Sequence, residues 1–216
     1  MGVAAAWFHL LNTEEEGSLQ QADQLITQLW LEKDKVLPKV GLFLARASLK
    51  NLQRKYEDSL ETLNEGIVFY PTFIPFMTEK LTSLMALGEW EEFQQAALEV
   101  SQRDQSNIKA ITALTFYEIA REGNADNAMM RLRELEGVIN KKESRSPKLL
   151  FQAAQLFLRV CGRNARFVGI LKSIIDNCRK TDPLNADYAI ELGRQYIMLE
   201  NIDEAYKSFQ EASSLD

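Results

Sequence analysis

One residue position recurs along this chain and limits what it can fold into. Early in the second helix of successive helix pairs stand Ala22, Ser59, Phe93, Ala128, Leu171 and Ala205, at spacings of 37, 34, 35, 43 and 34 residues. Four of the six are small, and Phe93 and Leu171 are the exceptions. A position kept small at a near-constant interval marks a place where two helices cross closely, since bulk there would hold them apart. A unit of two helices repeated this way buries its apolar faces only by stacking on its neighbours.

The rest of the pattern agrees. Leu60, Leu63 and Ile67 follow helical spacing, as do Leu81, Leu84 and Met85, and Leu132, Leu135 and Ile139. No alternating strand pattern with Asn-Gly or Asp-Gly turns appears. Gly17-Ser18, Gly88-Glu89, Gly123-Asn124 and Gly162-Arg163 read as tight turns inside pairs. Pro71, Asp104-Gln105, residues 141–147 and Asp182-Pro183 read as joints between pairs, with Ser146 before Pro147 as a helix start. A helix-turn-helix unit with a period near 34 residues is the signature of the tetratricopeptide repeat. The chain therefore reads as an all-α, right-handed superhelical solenoid of about six tetratricopeptide-like hairpins. Residues 1–216 form one array in this reading, degenerate between Lys141 and Arg166. The alternative is an irregular helical bundle.

Gly193 fits the repeat. A glycine inside a helix costs about 1 kcal/mol relative to alanine, a cost worth accepting where helices must approach. Gly193 and Ala205 read as the two small residues of the last crossing, with Tyr196 and Phe209 filling the space around them. No polar capping helix follows this pair, so the array is expected to continue as part of a longer solenoid.

Charge and chemistry narrow the function. Lys and Arg total 25 against 31 Asp and Glu, a net charge of −6, which leaves no basic footprint for nucleic acid. The apolar start GVAAAWFHLL, residues 2–11, is too short to cross a bilayer and lacks the basic lead of a signal peptide. Ala6 occupies the place where a myristoylation motif wants Ser or Thr. It reads as a buried first helix, with no direct membrane insertion.

His9 is the only histidine, so a histidine-based triad would have to use it; it reads as a core or interface residue. No phosphate loop or dinucleotide turn is present. Cys161 and Cys178 read as free thiols without the spacing of a zinc site, and Glu14, Glu15 and Glu16 as a solvated turn rather than a calcium loop. The chain is thus expected to be non-enzymatic, with no cofactor and no metal.

Longer stretches carry a resemblance. FYPTFIPFMTEKLTSLMALGEWEEFQQAALEVSQRDQSNIKA, YEIAREGNADNA, RVCGRNARFVGIL and ELGRQYIMLENIDEAYKSFQEASSLD follow one another in register. Together they resemble an internal segment of the tetratricopeptide repeat protein 21 family, the large repeat subunit of intraflagellar transport complex A. REGN at residues 121–124 combined with CGR at residues 161–163 is more discriminating than the repeat consensus. The resemblance implies a non-enzymatic scaffold, with the other protein subunits of intraflagellar transport complex A as partners. It implies a place in retrograde ciliary transport, in the cytoplasm, the cilium and the ciliary base. The alternative is a peptide-binding adaptor for transient clients.

In such repeats the first helix of each pair lines the inner face. The helical phase puts Leu44, Thr78, Thr82, Tyr117, Ile190, Arg194 and Ile197 there as possible partner contacts. An amphipathic helix or extended segment could lie on them, or adjacent turns of the same superhelix could cover them. The Lys, Arg and Asn clamp that grips a C-terminal carboxylate in co-chaperone repeats is disfavoured, since its clearest candidates, Arg194 and Asn51, stand in distant repeats. Far-UV circular dichroism is expected to give a predominantly helical spectrum, and a substantial β contribution would refute the architecture.

Overall fold

Segments whose apolar residues return every three or four places present one face that must leave water, and a helix gathers that face onto one side. The computed structural model describes residues 2–12, 17–31, 40–142, 147–161 and 164–215, and every regular element among them is an α-helix. In chain order these are α1 Gly2–Leu11, α2 Ser18–Leu31, α3 Val40–Leu52, α4 Tyr56–Phe69, α5 Ile74–Leu87 and α6 Trp90–Arg103. They continue with α7 Ile108–Ala120, α8 Ala125–Lys142, α9 Pro147–Val160, α10 Ala165–Thr181, α11 Ala186–Met198 and α12 Ile202–Leu215. Consecutive odd and even helices pack as hairpins. Hairpins stack into two compact units, Met1–Asp104 and Gln105–Asp216. The fold is an all-α solenoid of the tetratricopeptide type.

Each described turn inside a hairpin is closed by one residue in the left-handed region. Gly17, Gly88 and Gly123 supply it at φ of 81°, 76° and 65°, and Arg54 and Glu200 at 60° and 59°. Glycine takes that conformation freely because it has no Cβ, whereas Arg54 and Glu200 meet a steric cost there. The expected turn at Gly162-Arg163 and the Ser146 cap lie outside the described residues. The joints at Pro71, Asp104 and Pro183 do separate pairs.

Capping differs between the units. In Gln105–Asp216, asparagine side chains accept backbone N–H bonds at the starts of five helices: Asn107 from Ala110, Asn124 from Asn127, Asn164 from Phe167, Asn185 from Asp187 and Asn201 from Glu204. Each satisfies a donor that the helix start would otherwise leave open, at a typical gain of about 1 kcal/mol. In the first unit Lys55, Phe73 and Glu89 precede α4, α5 and α6 without a side-chain cap bond.

The recurring position is buried in all six hairpins: Ala22, Ser59, Ala128 and Leu171 have no exposure, and Phe93 and Ala205 only 1% and 3%. In the first unit α3 packs on α1 and α2, and α5 on α3 and α4. Ser59 Oγ, at the α3–α4 crossing, donates to the Ala47 carbonyl at 3.1 Å. Ser83 Oγ lies 3.1 Å from Ser59 Oγ and 3.0 Å from Asn51 Oδ1, so one proton serves two acceptors. This chain of polar contacts ties α3, α4 and α5 together beside an aromatic cluster of Phe43, Phe76, Phe73 and Trp30. In the second unit α9 packs on α7 and α8, and α11 on α9 and α10. A continuous core runs from Ile111 and Leu132 through Phe157, Phe167 and Leu171 to Leu192.

At the last hairpin a methyl group built on Gly193 would stand 2.6 Å from Cε1 and Cζ of Phe209 and 2.9 Å from its Cδ1. The ring of Phe209 therefore lies directly on the glycine. Gly66 stands in the same relation to the Phe76 ring, with atoms at 3.1 to 3.3 Å from such a methyl. Gly193→Leu is expected to destabilise the protein by about 1–3 kcal/mol through overpacking. Because Phe209 supplies the nearest atoms, Phe209→Ala should relieve that strain, and the double variant should lose less than the two single losses combined. Urea melts of the four proteins test this; a Gly193→Leu variant that melts like the parent would refute the crossing. Glu200→Gly should raise stability by about 0.5–1 kcal/mol, relief of the left-handed strain outweighing the added freedom of the unfolded chain. A lowered urea midpoint would show that the Glu200 side chain matters more than its backbone.

Candidate functional site

The first helices of the second unit, α7, α9 and α11, lie side by side. Between α9 and α11 runs an open groove of about 260 Å³, lined by Gln155, Leu158, Arg159, Glu191, Arg194, Ile197 and Met198. Its residues come from positions one helical turn apart, so that two helices present facing rows. Leu158 is buried, Met198 is half-buried, and Ile197 is 50% exposed. The apolar part of the groove is thus open to a partner's side chains.

The polar part is built around a buried acid. Glu191 is only 2% exposed. Arg194 Nη1 donates to its Oε2 at 3.1 Å, and Gln155 Nε2 approaches the same oxygen at 3.5 Å from α9. A buried carboxylate needs such partners, since the bare charge would be costly away from water. The contact also holds the Arg194 guanidinium at the mouth of the groove. That side chain is 59% exposed and keeps further N–H groups free to face outward. Arg159 stands exposed at the other rim, without an ion pair among the described residues. Arg194 and Ile197 are the expected contacts that this groove brings together.

The other expected contacts are scattered. Ile190 lies half-buried on α11, outside the groove lining, and Tyr117 half-buried on α7. In the first unit Leu44 packs half-buried against the Phe43 cluster, and Thr82 is exposed on α5. Thr78 is 8% exposed and donates its hydroxyl to the Ile74 carbonyl, so it offers a partner little surface. Asn51 and Arg194, the clamp candidates, are engaged by Ser83 and Glu191. Gln155, Leu158, Arg159, Glu191 and Met198 escaped the sequence reading. The α9 hairpin carries the stretched 43-residue spacing, which left its helical phase unassigned.

Residues with chemical potential are otherwise spent on structure. His9 Nδ1 lies 3.3 Å from Ser18 Oγ, and Ser18 Oγ donates to the His9 carbonyl at 3.0 Å, joining α1 to the start of α2. Cys178 is buried, its thiol pushed up to about 11 by burial, and Cys161 is raised for the same reason. Neither thiol ionises readily at neutral pH, so neither is set up as a nucleophile. Among the described residues no group of His, Cys, Asp and Glu could hold a metal ion, and no helix is long and apolar enough to cross a membrane.

Comparison with known proteins follows the repeat. Residues 130–216 match the family model of the tetratricopeptide repeat protein 21 second ARM domain. Tetratricopeptide repeat protein 21B of Homo sapiens is 27% identical over 173 residues, covering 80% of this chain and 13% of its own length. The Xenopus laevis protein of that name is 26% identical over 214 residues, covering 99% of this chain and 16% of its own length. Human tetratricopeptide repeat protein 21A is 28% identical and covers 80% of this chain. The chain therefore spans 13% to 16% of the length of these curated relatives.

Among solved structures, YrrB, a tetratricopeptide repeat protein with an unusual peptide-binding site, superposes with a TM-score of 0.55 at 14% identity, covering 88% of this chain and 92% of its own. MamA from Desulfovibrio magneticus RS-1 superposes with a TM-score of 0.59 at 12% identity, covering 82% and 94%. At such identities these likenesses speak for the fold alone. The sequence relatives reach further: they follow the chain across both units, and the family model falls on the unit that holds the groove. The chain is similar in sequence to proteins of the tetratricopeptide repeat protein 21 family, over most of its length by its relatives and over residues 130–216 by the family model.

Proposed function

We infer that this chain is part of a non-enzymatic repeat scaffold for protein interactions, and that the assembly it serves is intraflagellar transport complex A. The observation that carries the scaffold reading is the open groove between α9 and α11, an apolar and charged surface on stacked hairpins that the chain leaves uncovered. A repeat body of this kind holds its shape through neighbour contacts and offers its exposed helix faces to other chains. The transport complex enters through the family resemblance, which implies retrograde ciliary traffic, with the cytoplasm, the cilium and its base as the place of action.

A second reading, an adaptor for transient clients, is favoured by one feature. The groove is open and small, and so suited to a short segment. The two readings differ in stoichiometry. Affinity purification of the tagged full-length protein from ciliated cells is expected to recover the other complex A subunits in fixed, near-equimolar amounts that survive washing. Recovery of none of these subunits, with only weak capture of varied clients, would overturn the scaffold reading and leave the adaptor.

A further inference from the structure

We propose that the groove between α9 and α11 takes a short segment of a protein partner in which an Asp or Glu side chain is flanked by apolar residues. The carboxylate would lie between Arg159 and Arg194, and the apolar neighbours against Leu158, Ile197 and Met198. The proposal rests on the reading of this groove as a partner surface and names the chemistry of its occupant.

Charge decides the sign. Two guanidinium groups stand at the rim, and the groove's one carboxylate, Glu191, is buried and already bonded to Arg194. A basic side chain would have to displace Arg194 from Glu191 and face Arg159 unpaired. An acidic side chain meets the outward N–H groups of both arginines and leaves the Glu191 contact intact. Arginine's planar fork suits a carboxylate with two oxygens, and such charge-assisted bonds are stronger than neutral ones. Glu191 acts here as a positioning residue, since it holds Arg194 in place and is itself covered.

Size decides the kind of ligand. The groove's 260 Å³ is below the roughly 300–1,000 Å³ of sites that enclose a small molecule. It is open to solvent, whereas a small-molecule site hides most of its ligand. One or two side chains of a longer segment fill such a space, with their backbone outside it. This is the economy of peptide recognition, in which a few anchors carry specificity.

The test is a display selection of random 12-residue peptides against the 216-residue protein, in parallel with the Arg159→Ala and Arg194→Ala variants. Arg159 and Arg194 are both exposed, and circular dichroism of each variant checks its fold. The expected result is enrichment of sequences with Asp or Glu beside Leu, Ile, Met or Phe. Binding of an enriched peptide should weaken about tenfold in either arginine variant and fall as salt is raised. Arg159→Lys should recover part of the loss. Enrichment of basic or purely apolar sequences, or no enrichment at all, would overturn the chemistry proposed. Acidic peptides that bind the variants as well as the parent would overturn the place. Neither failure touches the scaffold reading, because stoichiometric co-purification of the full-length protein is independent of what this groove accepts.

Discussion

The structure depends on how closely two helices of a hairpin can approach. At each crossing a buried residue on the second helix sets that distance, and in four hairpins it is alanine or serine. Where the residue is larger, as with Phe93 and Leu171, it is buried all the same. In the last hairpin the first helix contributes too, since the Phe209 ring sits where a side chain at Gly193 would be. Loss of helix propensity at one glycine is small beside the dispersion contacts of a ring packed against backbone. From this approach follow the short turns, and from the short turns follow the left-handed residues that close them.

Stacking is the second level of the same economy. A hairpin has apolar surface on more sides than its own partner helix can cover, so within each unit α3, α5, α9 and α11 lean on both helices of the hairpin before them. Specific polar contacts fix that register within each unit. In the first unit the hydroxyls of Ser59 and Ser83 bridge α3, α4 and α5. In the second, Arg179 pairs with Glu211 between α10 and α12, while Arg131 Nε donates to Glu118 Oε1 at 2.7 Å inside the α7–α8 hairpin. Not every buried polar group is satisfied. Both amide atoms of Gln195 lie buried without a partner among the described residues, at a cost of about 1–3 kcal/mol.

The groove is a by-product of this stacking that chemistry has turned into a surface. Two neighbouring first helices leave a furrow wherever their facing side chains do not fill it. Here the furrow keeps an apolar floor, and a buried acid holds one arginine upright at its rim. For the acidic segment proposed above, such preorganisation would lower the entropy lost on docking, because the guanidinium is already in place. The two arginines, one of them already paired with that acid, keep the site from attracting cations.

The amino-acid sequence by itself determined the period, the all-α class and the small crossing residues, because each depends on local spacing. Ala22, Ser59, Ala128 and Ala205 could be found by counting, and so could the turns at Gly17, Gly88 and Gly123. The turns at Arg54 and Glu200 could not, since nothing in those side chains announces a left-handed backbone. The asparagine caps were written in the sequence, each standing just before its helix, but they gain meaning only once the helix start is known. Only the tertiary structure placed Phe209 as the group lying nearest to Gly193. It also brought Gln155, Leu158 and Arg159 of α9 opposite Glu191, Arg194 and Met198 of α11. Those two rows are some 36 residues apart, as the Gln155–Glu191 contact shows. Their meeting is set by how one hairpin rotates onto the next, a quantity that no local pattern encodes, because it is the sum of all the side-chain volumes between them.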